Sequence, residues 1–269
     1  MTKDGTSWRR VVAVLFAVAT LSLQPASNGA TAGVPEDLTW EDPVERTLPT
    51  APAGWRTQIC CPSRSAQVVT TPTRSGGHSV RFQLDRGDPI VAASSRAELV
   101  EATAEPADAE RWFGFSVFLP SAIWQTPDPS AEILAQWHHA ANTGSPPLSL
   151  TSRNGKWEIS QHWEELGPNG KHTVVADQQV ARWTDWVFHI RWSEGADGLV
   201  EVWKDGMRVF RQTGKNKYAD GAGTYFKFGI YKWDWTSNPS RSNTNRRIVF
   251  HDELRIRDGS ASYSAVAPR

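Results

Sequence analysis

The sequence is poor in cysteine. Two occur, Cys60 and Cys61, side by side. At 269 residues the chain is long enough to bury a core without disulfide staples, and two neighbours in sequence supply none across the fold. They are free thiols, a vicinal pair or an intermolecular link. A zinc site is excluded, because it needs wider spacing and more ligands. Charge of one sign is lacking too: 29 Lys and Arg balance 29 Asp and Glu. A general nucleic-acid or membrane-surface binder needs a basic surplus, so any anionic ligand must be met by a local basic cluster. Beyond the N-terminal region there is no second long apolar run, no repeat of solenoid period and no strand–helix alternation of the kind that builds a parallel sheet.

What is present begins with an export signal. Arg9 and Arg10 precede the apolar stretch Val11 to Leu23, and Ala30-Thr31-Ala32 offers small residues at a cleavage site. Residues 1–32 therefore read as a signal peptide, and residues 33–269 as one secreted, extracellular or periplasmic domain, expected to be a monomer free of the membrane once the signal is removed. Within it, short apolar or aromatic segments recur between turn signals: 80–84, 112–119, 132–138, 148–152, 156–162, 186–192, 199–204, 224–232 and 247–257. Asp205-Gly206 marks a hairpin. An early strand is expected around Leu38 to Glu41. Only 92–107 and 120–131 leave room for a helical turn. This pattern predicts an all-β sandwich or barrel. Fourteen tryptophans are mostly expected in its core, with a minority left as sugar-stacking platforms.

Strand side chains alternate between faces, and three segments place polar groups together on one face. In Tyr225-Phe226-Lys227-Phe228-Gly229-Ile230-Tyr231 the phenylalanines and Ile230 take one side, and Tyr225, Lys227 and Tyr231 the other. Lys232 and Trp235 follow closely and extend that candidate ligand surface. In Gln136-Trp137-His138 the amide and imidazole share a face. In Arg96-Ala97-Glu98-Leu99 the guanidinium and carboxylate share a face if the segment is extended. Taken singly, the last two are ordinary surface patterns. Together, and in this order, they carry weight.

Together they resemble the jelly-roll polysaccharide lyases. Arg96 to Leu99, Gln136 to His138 and Tyr225 to Tyr231 are similar to three strands of the alginate lyases, and the stretch Trp183 to Gly206 resembles heparin lyase I and glucuronan lyase relatives. The resemblance runs from about Trp40 to Ile256. It implies a concanavalin-like β-jelly roll of two antiparallel sheets with a concave groove, and cleavage of an anionic, uronic-acid-containing polysaccharide by β-elimination, with no cofactor required. Trp137 replaces an aliphatic residue of the alginate-lyase pattern, and Lys232-Trp233 replaces Asn-Gln. A glucuronan-like polymer is therefore expected first, ahead of alginate or heparin-like chains.

Elimination from a uronate sets three tasks. The carboxylate must be neutralised, C5 must lose its proton, and the C4 oxygen must gain one. Gln136 and Arg96 suit the first. Tyr231 suits the last, and also the second if nearby cations such as Lys227, Lys232 and Arg96 stabilise its phenolate. His138 is the alternative base. Tyr225, Lys227, Lys232, His162 and Trp235 are candidate substrate contacts. No catalytic metal is expected, although Glu41 and Asp42 with Asp252 and Glu253 could gather a structural calcium that clamps the termini. Two other readings compete. A carbohydrate-binding module would share the groove but has no need of the Tyr, His, Gln and Arg set. A retaining hydrolase needs two carboxylates across the bond, and no strand with a Glu-x-Asp-x-Glu pattern occurs.

Overall fold

Two antiparallel sheets of seven strands each face one another. The first runs β1 (Trp55–Gln58), β4 (Arg96–Glu101), β13 (Thr224–Tyr231), β6 (Glu132–His139), β7 (Leu148–Arg153), β8 (Lys156–Gln161) and β9 (Lys171–Asp177). The second runs β12 (Met207–Thr213), β11 (Leu199–Lys204), β10 (Trp183–Arg191), β5 (Glu110–Phe118), β14 (Arg246–Asp258), β3 (Ser79–Asp85) and β2 (Ala66–Val69). Among the described residues, two four-residue helices, α1 (Ser121–Trp124) and α2 (Asp234–Ser237), sit in connections, and a third, α3 (Tyr263–Val266), follows the last strand. This is an all-β jelly-roll sandwich. The computed structural model describes residues 37–42, 45–48, 50–141 and 144–269. The expected signal peptide lies outside them.

The sheets close on a shared apolar core. Phe226, Phe228 and Ile230 of β13 point into it beside Trp137, Phe113 and Phe188. Burying each such side chain contributes roughly 1.5–3 kcal/mol, so the inward face fixes which residues of β13 look outward. Ten tryptophans are buried, in line with a mainly structural use of that residue.

The order of the first sheet makes the three singled-out segments neighbours, with β13 between β4 and β6. In register, Tyr231 lies beside Arg96, Lys227 beside Gln136, and Tyr225 beside His138. Regular pairing of β13 with β6 is interrupted between Phe228 and Tyr231. Gly229 sits in that irregularity at φ 135°, and a Cβ there would lie 2.3 Å from the Ala97 carbonyl oxygen, so only glycine fits.

Several expectations change. The segment 92–107 holds no helix; its middle, Arg96–Glu101, is strand β4, because Ala97 and Leu99 alternate into the core. The early strand at 38–41 reduces to a single bridge between Leu38 and Leu254. Short or polar strands β1, β2 and β9 carry too little apolar alternation to be read beforehand. Cys60 and Cys61 are joined to each other. Three of the four carboxylates proposed for calcium, Glu41, Asp252 and Glu253, are met by the 74–78 loop instead. Glu41 accepts from the Gly77 and His78 amides, Asp252 from the Arg74 amide, and Glu253 from the Ser75 hydroxyl. Among the described residues they do not converge as one metal-ligand group.

Candidate active site

The outward face of β4, β13 and β6 forms the floor of a groove. Two adjoining cavities of about 690 and 570 Å³ share Arg96 and His138 in their walls. Five cationic side chains line them: Arg56, Arg96, Lys227, Arg153 and Arg241. No Asp or Glu does. A chain with no net charge thus concentrates positive charge where a polymer can lie.

Arg96 is the hub. Its guanidinium stacks over the Tyr231 ring, 4.0 Å from the centroid. Its Nη1 donates to Glu98 Oε2 at 3.0 Å and to Gln58 Oε1 at 3.4 Å. The other Glu98 oxygen accepts from Gln136 Nε2. Gln136 is fully covered and its Oε1 lacks a partner. The sequence presented this amide as a direct donor to substrate, whereas the structure engages it with Glu98 across β13, where Gly229 has no side chain. The reason is nonlocal: strand order brings Glu98 within its reach.

Lys227 is buried, yet among the described residues no carboxylate lies within ion-pair distance of it. Its Nζ donates to the neutral Gln58 Oε1 at 3.2 Å and stands 5.4 Å from the Tyr225 ring centroid. Burial lowers its pKa; Glu98 offsets this, and Arg96 and Arg56 add to it. A buried ammonium among other cations, facing a cavity, is poised for an incoming anion. Burial also raises the pKa of the Tyr225 phenol.

His138 has its Nδ1 3.1 Å from the His139 carbonyl oxygen. That oxygen can only accept, so Nδ1 carries the proton and the Nε2 lone pair is left for chemistry. Burial, with Lys227, His139 and Arg96 adding repulsion, pushes its pKa down to about 4, so the ring is neutral near pH 7. His162 and Tyr231 line the larger cavity. His162 is joined there by His172, with ring centroids 5.5 Å apart, and burial lowers the pKa of both.

Two candidate contacts are corrected. Lys232 is wholly buried, held by Asp128 at 3.1 Å and Glu132 at 2.7 Å. Trp235 packs in the core and its Nε1 donates to Ser242 Oγ at 2.8 Å. The chain leaves β13 after Tyr231 and enters α2, so the strand's alternation no longer applies. Trp233, not Trp235, reaches the groove. Sequence reasoning also missed Arg56 and Gln58 of β1, Arg153 of β7 and Arg241 in the turn after α2, which only the tertiary fold brings together.

A jelly-roll sandwich with a cationic, tyrosine-bearing groove defines the class structurally. Residues 50–255 match the family model described as polysaccharide lyase. The chain belongs to the polysaccharide lyase family and is an enzyme of that class. A search of the curated proteins returns no match. Among solved structures, the chain is similar to the endo-β-1,4-glucuronan lyase of the fungus Trichoderma reesei, at 18% identity and TM-score 0.67, over 80% of this chain and 94% of that one. It is also similar to alginate lyase A1-II′ of polysaccharide lyase family 7, at 16% identity and TM-score 0.57, over 77% and 95%. A third is an alginate lyase from Pseudomonas aeruginosa, at 18% identity and TM-score 0.52, over 69% and 85%. Family membership favours neither the binding module nor the hydrolase. The adjacent carboxylates Asp252 and Glu253 lie on β14 in the opposite sheet.

Proposed function

We propose that this lyase cleaves a uronic-acid polymer by β-elimination, with a glucuronan-like chain as first substrate and alginate or heparin-like chains behind it. The observation that carries the reading is the groove itself: five cations and no carboxylate in its walls, with the Tyr231 phenol under the Arg96 guanidinium. The uronate carboxylate docks against Arg96 and Lys227, which stabilise the charge that spreads onto it when C5 is deprotonated. Gln136 acts from behind, holding Glu98 and through it Arg96.

The bookkeeping is simple. The C5–H bond breaks, a C4–C5 double bond forms, the C4–O bond breaks, and the departing oxygen takes a proton. Tyr231 supplies that proton. In glucuronate and mannuronate the C5 hydrogen and C4 oxygen lie on the same face. Tyr231 as phenolate, stabilised by the Arg96 charge, then takes the C5 proton and returns it to the oxygen. In the C5 epimers they lie on opposite faces, and Nε2 of neutral His138 is the base.

The export signal read at residues 1–32 suits an enzyme whose polymer substrate cannot enter a cell, and a cystine at Cys60–Cys61 suits an oxidising compartment. We therefore place the enzyme outside the cytoplasm. The test is a panel of glucuronan, alginate, heparan sulfate, hyaluronan and pectate, followed by far-ultraviolet absorbance. Elimination leaves a double bond conjugated to the carboxylate, which absorbs; hydrolysis does not. Rising absorbance, fastest on glucuronan, is expected. Reducing ends released without absorbance would sink the elimination chemistry.

A further inference from the structure

The sequence has 14 tryptophans. Trp8 lies outside the described residues, and ten of the other thirteen are buried. Three are half-buried: Trp183, Trp203 and Trp233. Trp183 packs on Phe118 at 5.5 Å, and Trp203 lies between Trp112 at 5.7 Å and Tyr263 at 5.6 Å, all on the opposite sheet or its helix. Only Trp233 of these lines the groove.

Its backbone is clamped on both sides. Lys232 before it is fixed by Asp128 and Glu132, and its amide donates to the Ser95 carbonyl at 3.0 Å. Asp234 after it accepts from the Ser130 hydroxyl at 3.0 Å. The Trp233 carbonyl accepts from the Thr236 and Ser237 amides at 3.0 and 2.9 Å, and from the Ser237 hydroxyl at 3.1 Å. A partly exposed indole on so constrained a backbone is held in place before any ligand arrives, which lowers the ordering cost of binding. Its ring centre lies 5.8 Å from that of Tyr231 and is tilted by 53°, so the two rings do not cover one another. The Tyr231 phenol thus neighbours both the Trp233 indole and the Arg96 guanidinium.

We infer that Trp233 is the aromatic platform for a pyranose ring beside the scissile bond. It stacks on the apolar C–H face of the sugar while Arg96 and Lys227 take the carboxylate. Its contribution is orientation: it sets the tilt at which the C4 oxygen meets the Tyr231 hydroxyl. This inference rests on the proposed uronan lyase activity and adds to it a specificity-determining residue selective for ring shape rather than charge.

The experiment pairs kinetics with binding. Trp233→Phe and Trp233→Ala are compared with the parent on glucuronan, with thermal melting as the folding control. KM is expected to rise about two- to three-fold in Trp233→Phe and about tenfold in Trp233→Ala, with kcat falling less. Binding of intact glucuronan and of intact alginate is followed by intrinsic fluorescence in Tyr231→Phe, alone and combined with Trp233→Phe. The emission change on binding should be carried mainly by Trp233 and be lost in the double variant. Cleavage and binding in Trp233→Ala equal to those of the parent would overturn the inference alone. Failure of the parent to bind or cleave either polymer would overturn it together with the activity on which it rests.

Discussion

Two lysines of one chain segment, Lys227 and Lys232, lie five positions apart and are both buried, yet their surroundings are opposite. Around Lys232 the charges balance. Asp128 and Glu132 face it, Arg247 shares Glu132, and Ser242 and Thr244 satisfy Asp128. The cluster is sealed beneath the end of the sheet. Around Lys227 they do not balance. Arg96 and Arg56 stand nearby, and Glu98 is already shared by Arg96 and Gln136. That cluster opens to a cavity. A buried charge that the protein fully compensates is architecture; one left short of counter-charge beside open space is a place for a ligand.

The contrast can be broken by removing each lysine in turn. Lys232→Met leaves Asp128 and Glu132 with Arg247 as the remaining buried cation. It should cost about 3–5 kcal/mol of stability, read from denaturant midpoints. Lys227→Met removes an ammonium that has no carboxylate in ion-pair reach, so the fold should be no less stable, while KM for the polymer rises about tenfold. A larger loss of stability in Lys227→Met than in Lys232→Met would reverse the assignment of the two clusters. Salt sharpens the same point. Added salt should raise KM several-fold through the groove cations and leave the sealed cluster unaffected, so that the stability gap between Lys232→Met and the parent hardly changes with ionic strength.

A smaller effect concerns pH. The folded pKa of His138, about 4, lies below the unfolded value of about 6.5. Its neutral form therefore contributes stability that is fully present above about 6.5 and is lost as pH falls toward about 4. His251, pushed down to about 3 by complete burial, acts with the same sign. Glu101, raised to about 8, and Asp252, raised to about 6, both by burial, act oppositely: their contribution is lost as pH rises through those values. Glu45, raised by burial to about 7, acts as Glu101 does, and the net curve mixes all of these with smaller shifts elsewhere, so the clean reading is a difference. Parent stability minus that of His138→Asn should shrink by on the order of 1 kcal/mol between pH 6.5 and 4.5. A difference independent of pH would mean that His138 is not held neutral by burial.

The outward face of β13 was legible beforehand because Phe226, Phe228 and Ile230 leave Tyr225, Lys227 and Tyr231 no other side. His138 followed from the same alternation, and strand existence was legible wherever apolar residues alternate. Legibility ended where the period changed. Lys232 and Trp235 extend the candidate ligand surface in the sequence, but α2 turns the chain, burying both and leaving Trp233 half-buried at the groove. Gln136 was misjudged for another reason. Its partner Glu98 is 38 positions away, and no local pattern reports which strands become neighbours. The same holds for Arg56 and Gln58, carried by a strand too short and polar to announce itself.

The central claim is that Tyr231 carries the proton transfers of an elimination. The most direct measurement is the initial rate of absorbance increase on the best-cleaved uronan, parent against Tyr231→Phe, with melting temperature and polymer binding measured on both. The account predicts a loss of about a thousandfold or more in kcat, with binding and melting temperature close to those of the parent. A Tyr231→Phe enzyme that folds, binds and still produces the unsaturated end at a rate near that of the parent would contradict it.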